Sequence, residues 1–321
     1  MTKSLKYLLI SNILFVCNFS IAQRENDFVK PHGSHVSEYM TISAGTLGPN
    51  ALPVPEIRSG CIGTEMEFET ATRTHWIPGD RSVDLFLRLY YPIARNLIAV
   101  EFYGIAAEYF HCTNEVRDQR QIYYDDQGWT LEGGDLYCAT HLQIVRNQTF
   151  FPNISAQYAF KTTTGNLNNG RYTDTPAQII NIYFGKRFAF RNLWISEISY
   201  SGMIGLYIWQ TNRYEVSQDE GPLLGLENEI KIKNFAVRNA LAGYFGYETT
   251  VPNKDFNRYE DTPDQPVVYR GELRKYGKTV NWTLRYEHGF KDYPYQTISV
   301  SATWHFPTKN KVIKIQQEES N

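Results

Sequence analysis

The chain has 321 residues, with 32 Lys plus Arg against 34 Asp plus Glu and a formal net charge of −2. That balance, with no basic cluster anywhere, excludes a nucleic-acid footprint. Aromatic residues make up 15%, with 23 Tyr against 4 Met, an excess suited to surfaces where a ring sits half in an apolar phase and half in water.

Residues 1–22 carry Lys3 and Lys6, then the apolar run YLLISNILFV, then Ser20-Ile21-Ala22 before Gln23. A basic head, a short apolar body and small residues before the cut predict a cleavable secretory signal, with the mature chain starting at Gln23. Cys17 as a lipid-anchored residue is disfavoured by the bulk of Val16 before it. No later run reaches the roughly 18 apolar residues a spanning helix requires. Membrane insertion would therefore use strands, because lipid offers no partner to unpaired backbone groups.

Residues 23–63 hold a possible short strand at 39–47 and then GPNALPVPEIRSG. Pro49, Pro53 and Pro55 forbid ladder pairing through the middle of a sheet, so this segment stands outside the strand count.

From residue 64 the pattern changes to period two. Val83, Leu85, Leu87 and Leu89 oppose Asp84, Phe86, Arg88 and Tyr90, and Trp282, Leu284 and Tyr286 oppose Thr283, Arg285 and Glu287. Twelve strands follow from such alternation: 64–76, 81–91, 97–112, 135–147, 152–163, 177–190, 193–209, 224–236, 240–250, 267–275, 279–290 and 295–306. Brief connections at 92–96, 148–151, 191–192, 237–239 and 276–278 take turns with long polar ones at 113–134, 164–176, 210–223 and 251–266.

The last strand, YQTISVSATWHF at 295–306, sets Ile298, Val300, Ala302, Trp304 and Phe306 on one face and Ser299, Ser301, Thr303 and His305 on the other. It resembles the closing strand of Gram-negative outer-membrane β-barrels, terminal Phe included, although 15 residues (307–321) follow it here. The phrases TLGPNALPVPE, NGRYTDTP and WQTN are likewise similar to phrases of exported barrel proteins. The resemblance implies an all-β, porin-like, antiparallel up-and-down transmembrane barrel of about twelve strands in the outer membrane. It also implies recognition of the last strand by the barrel-assembly machinery. The expected organisation is signal 1–22, extension 23–63 as a lumenal plug or a periplasmic piece, barrel 64–306 and periplasmic tail 307–321.

With the polar sets taken inward, eight carboxylates (Glu65, Glu67, Glu69, Asp84, Glu101, Glu197, Glu272, Glu287) meet eight cations (Arg73, Arg88, Lys161, Lys231, Lys233, Arg270, Arg274, Arg285). A strongly selective pore is lined by one sign, so this balance points to a weakly selective channel or to an ion-paired interior. The functional expectation is passive passage of a small hydrophilic solute such as an oligosaccharide. Arg88, Arg270, Arg274, Arg285, Lys231 and Lys233 are the candidate contacts for an anionic solute, with Glu65, Glu67 and Glu69 opposite. The alternatives are an outer-membrane lipid hydrolase and a closed structural or binding barrel.

Cys112 and Cys138 bracket a long polar loop and predict a disulfide in an oxidising compartment, leaving Cys61 single. No cysteine or histidine spacing fits a metal site. His288 faces lipid near the external rim without a serine beside it, Ser299 and Ser301 pointing inward. The hydrolases' His-X-Ser-Asn-Gly motif is absent. The phrases RYTDTP (171–176) and RYEDTP (258–263) read as Asp-Thr-Pro turns. Alternatively their carboxylates gather with Asp125, Asp126 and Asp264 at the external mouth to hold Ca²⁺ or meet a solute. Tyr123, Tyr124 and Trp129 offer stacking surfaces in the same region.

Overall fold

The computed structural model describes residues 40, 42–120, 122, 128–146, 149–190, 194–212, 217–247 and 264–308. The expected signal, Asp125, Asp126, Tyr123, Tyr124, the phrase at 258–263 and nearly all of the tail lie outside the described residues.

Among the described residues thirteen strands form one antiparallel sheet. They are β1 (Glu65–Ile77), β2 (Asp80–Ala94), β3 (Ile98–Cys112), β4 (Thr130–Glu132), β5 (Leu136–Val145), β6 (Asn153–Lys161), β7 (Ala177–Ala189), β8 (Glu197–Asn212), β9 (Ser217–Ile232), β10 (Phe235–Tyr244), β11 (Val267–Lys275), β12 (Val280–Lys291) and β13 (Gln296–Pro307). A short helix, α1 (Asn114–Gln119), follows β3. Each strand of the wall pairs with the next in sequence, except that β3 pairs with β5 and the short β4 pairs with β3 alone, lengthening its outer end through Tyr109↔Leu131. β1 pairs with β13 from Glu65↔Pro307 to Trp76↔Gln296, so the sheet closes into a barrel of twelve strands with no free edge. Closure is what a strand wall in lipid demands, since an edge would leave a row of unsatisfied N–H and C=O groups.

The two faces are inverted relative to a water-soluble protein. Leu226, Ile204, Leu284 and Val300 are exposed on the outside, while Asp84, Glu101, Asn181 and Glu272 are buried within. Parity along each strand does this, one face to lipid and one to the lumen.

The largest departure from the sequence expectation is at the β9–β10 turn. It falls at Lys233 and Asn234, with Lys233 at φ 53°, instead of at 237–239. A two-residue hairpin with a positive φ uses the Lys-Asn pair, and β9 gains Ser217 to Leu223 at its far end. Lys233 is therefore exposed in a turn and does not enter the lumen, whereas Arg238 does.

Eight strands make a barrel that side chains alone can fill; twelve leave a wider lumen. Residues 42–63 occupy it. Ile42, Leu47, Ala51, Leu52, Val54 and Ile57 are nearly fully buried and pack against Tyr183, Tyr207, Trp209, Tyr244 and Tyr295 from the wall. Residues 165–175 of the β6–β7 connection also turn inward, and Leu167, Arg171 and Tyr172 are wholly buried.

The expected disulfide is absent, and Cys61, Cys112 and Cys138 are all free thiols. Cys138 pairs with Phe102, ten residues along β3 from Cys112, a separation of about 33 Å at ~3.3 Å per residue. A disulfide tolerates about 7 Å between Cα atoms. The two thiols also face opposite sides of the wall, Cys112 meeting the buried Arg120 within and Cys138 alternating with the inward Tyr137 and Ala139.

Candidate functional site: the plugged lumen and its vestibule

The extended plug is read by the wall through its carbonyls. Tyr293 Oη donates to Pro49 O at 3.2 Å and Tyr244 Oη to Leu52 O at 3.0 Å, while Tyr295 Oη lies 3.3 Å from Leu47 O. Arg270 donates to Val54 O at 2.6 Å and Pro55 O at 3.1 Å, and Arg238 to Ile57 O at 2.9 Å. The prolines that bar this segment from the sheet suit it to the lumen, because each removes an N–H that would otherwise need a buried acceptor. Two glycines set the closest approach. A Cβ on Gly60, at φ +72°, would lie 2.5 Å from Asn153 O, and one on Gly185 would lie 2.4 Å from Ser59 O.

Three layers of charge run down the lumen. At the end bearing the long connections, Asp80 accepts from Arg171 at 2.6 Å, Arg120 at 2.7 Å and Tyr295 Oη at 2.5 Å. Glu108 accepts from Arg171 and from Tyr172 Oη. This layer pins the inward loop and the chain after α1 across the opening. In the middle, Asp84 takes Arg73 at 2.8 Å, His75 Nε2 at 2.7 Å and the plug's Asn50 at 2.9 Å. Nearer the short turns, Glu101 takes the plug's Arg58 at 2.6 Å, His141 at 2.9 Å and Arg88. Glu272 takes Arg285 at 2.8 Å, Arg274 at 2.6 Å and Arg238 at 3.2 Å. The plug's Glu56 completes this cluster by accepting from Arg285 at 2.6 Å. A buried ion pair is weak evidence of net stability, but removing one partner leaves a charge no water can answer.

Below this layer lies a polar vestibule of about 820 Å³, lined from the end that carries both barrel termini and the short turns. Arg88, Arg274, Arg285, Glu67 and Glu69 of the expected contacts line it together. None of the three arginines is free there: Arg88 bonds Glu67 at 2.8 Å and Glu69 at 3.1 Å, so the glutamate ladder is answered from the adjoining strand. Glu65 stands at the rim, 3.7 Å from His305 Nδ1. Arg270 lies apart, bound to Glu287 at 2.5 Å and to the plug. Lys231 sets its ammonium 4.3 Å from the centre of the Tyr276 ring. Lys233 is outside the site altogether.

Sequence reasoning missed Arg238, because the turn had been set upon it, and missed Glu56 and Arg58, because plug and periplasmic placements of 23–63 stayed open. The IKIKNFAVRN stretch held the signal for Arg238: Ile230, Ile232, Phe235 and Val237 keep their outward alternation only if the turn takes Lys233-Asn234.

The first acidic phrase does not reach the external mouth. Asp174 is buried within the lumen, on the loop whose Thr173 Oγ1 accepts from Lys161 Nζ at 2.5 Å. Asp264 is buried too and accepts from Ser43 Oγ at 2.5 Å; burial, with Asp219 and Asp292 nearby, pushes its carboxyl up to about 6. Among the described residues no three carboxylates, imidazoles or thiols converge into a set that could hold a metal ion. Trp129 stacks on Tyr109 at 4.8 Å. His288 lies between Tyr286 and Phe290 on the outer face, with Tyr269 and Gln296 as cross-strand partners, and Ser299 and Ser301 are buried inside.

No protein-family model and no curated protein matches the sequence. Among solved structures, an outer membrane channel from Pseudomonas putida F1 aligns at TM-score 0.51 and 12% identity over 80% of this chain and 97% of that one. The β domain of the Bordetella autotransporter BrkA aligns at TM-score 0.40 and 12% identity over 76% and 99%. The transport unit of the autotransporter AIDA-I from Escherichia coli aligns at 0.38 and 8% over 80% and 93%. At such identities the likeness is one of fold. The closed twelve-strand wall and its inverted faces define an integral β-barrel, and the fold is that of the Pseudomonas channel. The protein is an outer-membrane β-barrel, its terminal-strand resemblance and its fold agreeing.

Proposed function

We propose that the protein is a channel for small hydrophilic solutes that its own N-terminal segment holds shut. The observation that carries this reading is the separateness of the plug. Residues 42–63 bond the wall through side chains and carbonyls and contribute no strand to it, so the barrel's ladder stays complete without them. A wall that needed this segment for integrity would have taken it as a strand. The polar vestibule of about 820 Å³ beneath the plug supports a route for hydrophilic solutes, and the Pseudomonas neighbour is described as a channel. Because the cations of the middle layers are answered by carboxylates, passage would be weakly selective.

The second reading, a permanently closed binding barrel, is favoured by the apolar core that the plug shares with Tyr207, Trp209 and Tyr244. Single-channel recording in a planar bilayer separates the two. The full chain is expected to give rare or no unit currents, and a chain lacking residues 40–57 steady ones. A deleted chain that inserts as a heat-modifiable barrel yet carries no current would leave the binding barrel as the function.

A further inference from the structure

Charge in the vestibule is balanced everywhere except on one arc of its wall. Arg58, Arg88, Arg238, Arg274 and Arg285 each meet a carboxylate. The cations at the ends of β5 and β7 do not. Arg146 Nη1 donates to Ile62 O at 2.8 Å and sits 3.5 Å from Gln143 Oε1, leaving most of its guanidinium donors to the cavity. Lys186 is held by the carbonyls of Thr149 and Phe151. Arg187, exposed and on the inward face of β7, makes no hydrogen bond or ion pair among the described residues. The stretches 146–152 and 187–196 contain no Asp or Glu, and Glu197 at the start of β8, opposite Ala189 and Lys231, makes no ion pair with either arginine. The plug crosses this arc. Gly60 is set against Asn153 and Gly185, two residues from Arg187 on the same face, and Arg146 holds Ile62, so Cys61 lies between the two guanidinium groups on the vestibule wall.

We infer that Arg146 and Arg187, with Lys186 at the rim, form an oxyanion-binding site on the periplasmic side of the lumen that takes the carboxylate, sulfate or phosphate group of a small solute. Fork-shaped donors suit such groups, and an uncompensated pair in a walled cavity focuses anions toward it. Of the carboxylates nearby, Glu67, Glu69 and Glu229 are engaged by Arg88 and Arg274, and Glu197 stands on β8 opposite Lys231, so none forms an ion pair with Arg146 or Arg187 among the described residues. The site deepens the channel reading and rests on it for its physiological sense. Binding itself is read from the closed barrel and needs no current.

Cys61 is the reporter. In the full chain carrying Cys112→Ser and Cys138→Ser, held in nanodiscs of zwitterionic lipid, thiol modification by an anionic and by a cationic methanethiosulfonate is compared. The anionic reagent is expected to react at least tenfold faster, and tens of millimolar sulfate to slow it severalfold. Arg146→Gln with Arg187→Gln should abolish both effects, while Arg95→Gln, outside the vestibule, should leave them intact. Equal rates for the two reagents, or rates indifferent to sulfate and to the double substitution, would overturn the site. Protection that appears only when phosphatidylglycerol is added, and never with sulfate, would also overturn it by assigning the arc to lipid headgroups. A barrel that shows the preference but passes no current after plug deletion would retain the site and lose the channel.

Discussion

Glu101 shows how much one residue can hold in this molecule. Fully buried on β3, it accepts from the plug's Arg58, from Arg88 and from His141. Glu101→Ala leaves Arg58 without its carboxylate while Arg88 keeps Glu67 and Glu69, so the cost lies at the low end of the ~3–5 kcal/mol of a buried pair broken on one side. The expected outcome is a clear drop in the urea midpoint of the folded barrel, with Glu101→Gln intermediate; an unchanged midpoint would mean that water reaches this layer freely. Asp264 supplies a pH dependence. Its carboxyl stands at about 6 in the folded chain, above the roughly 3.9 of an unfolded Asp. A carboxyl raised on folding contributes most when protonated, so its contribution is complete below pH ~4 and is lost as pH rises through about 6. The full effect is at most about 3 kcal/mol. The protection factors of the amides from Ser43 to Leu47, taken against the intrinsic exchange rate at each pH, should fall between pH 5 and 7, and Asp264→Asn should flatten that fall. A profile equally steep in the variant would assign the titration elsewhere.

At the scale of elements, the turns and the plug repay attention to backbone. Lys233 occupies the left-handed region at φ 53°, a conformation costing a side-chain-bearing residue roughly 1 kcal/mol. Lys233→Gly should therefore raise stability by about 0.5–1 kcal/mol, while Val237→Gly, in mid-strand, should lower it. The opposite signs would restore the turn to 237–239. Gly60→Val places a branched side chain on Asn153 O and is expected to loosen residues 57–63 without unfolding the wall, read as faster proteolysis confined to the plug. The thiols of Cys61, Cys112 and Cys138 should all titrate in the denatured unreduced protein, because Cys112 and Cys138 lie far apart on opposite faces. Here the sequence was legible where alternation was long and uninterrupted: VDLFLRLY and ISVSATWHF fixed faces that the structure keeps. It was illegible where two turn signals competed a few residues apart, and where loop 162–176 folded inward. RYTDTP reads as a surface turn, and only the partners waiting for it, Asp80 and Glu108, make its burial favourable.

For the whole molecule, strand number sets the problem that the remainder of the chain solves. Twelve strands enclose more space than their own side chains fill, and the chain meets this with a donor-poor, proline-containing segment and one inward loop. Composition made a membrane barrel readable, but it could not place residues 42–63, since a plug and a periplasmic extension need the same prolines. Nor could a count of eight charges against eight tell a lined pore from a paired interior; that difference lies in distances between strands. The central claim is that the plug lies against the inner wall at mid-barrel. Ile57 and Ala242 both crowd the face of Gly225 there, within 2.8 and 3.1 Å of where its Cβ would be. The direct test places Ile57→Cys and Ala242→Cys in a chain whose Cys61, Cys112 and Cys138 are Ser, in intact outer membranes, with a short bifunctional thiol reagent. The account predicts near-complete intrachain cross-linking and almost no labelling of either thiol by a bulky hydrophilic maleimide. Ready labelling of both thiols with no cross-link would contradict it, showing a lumen that water and solutes already fill.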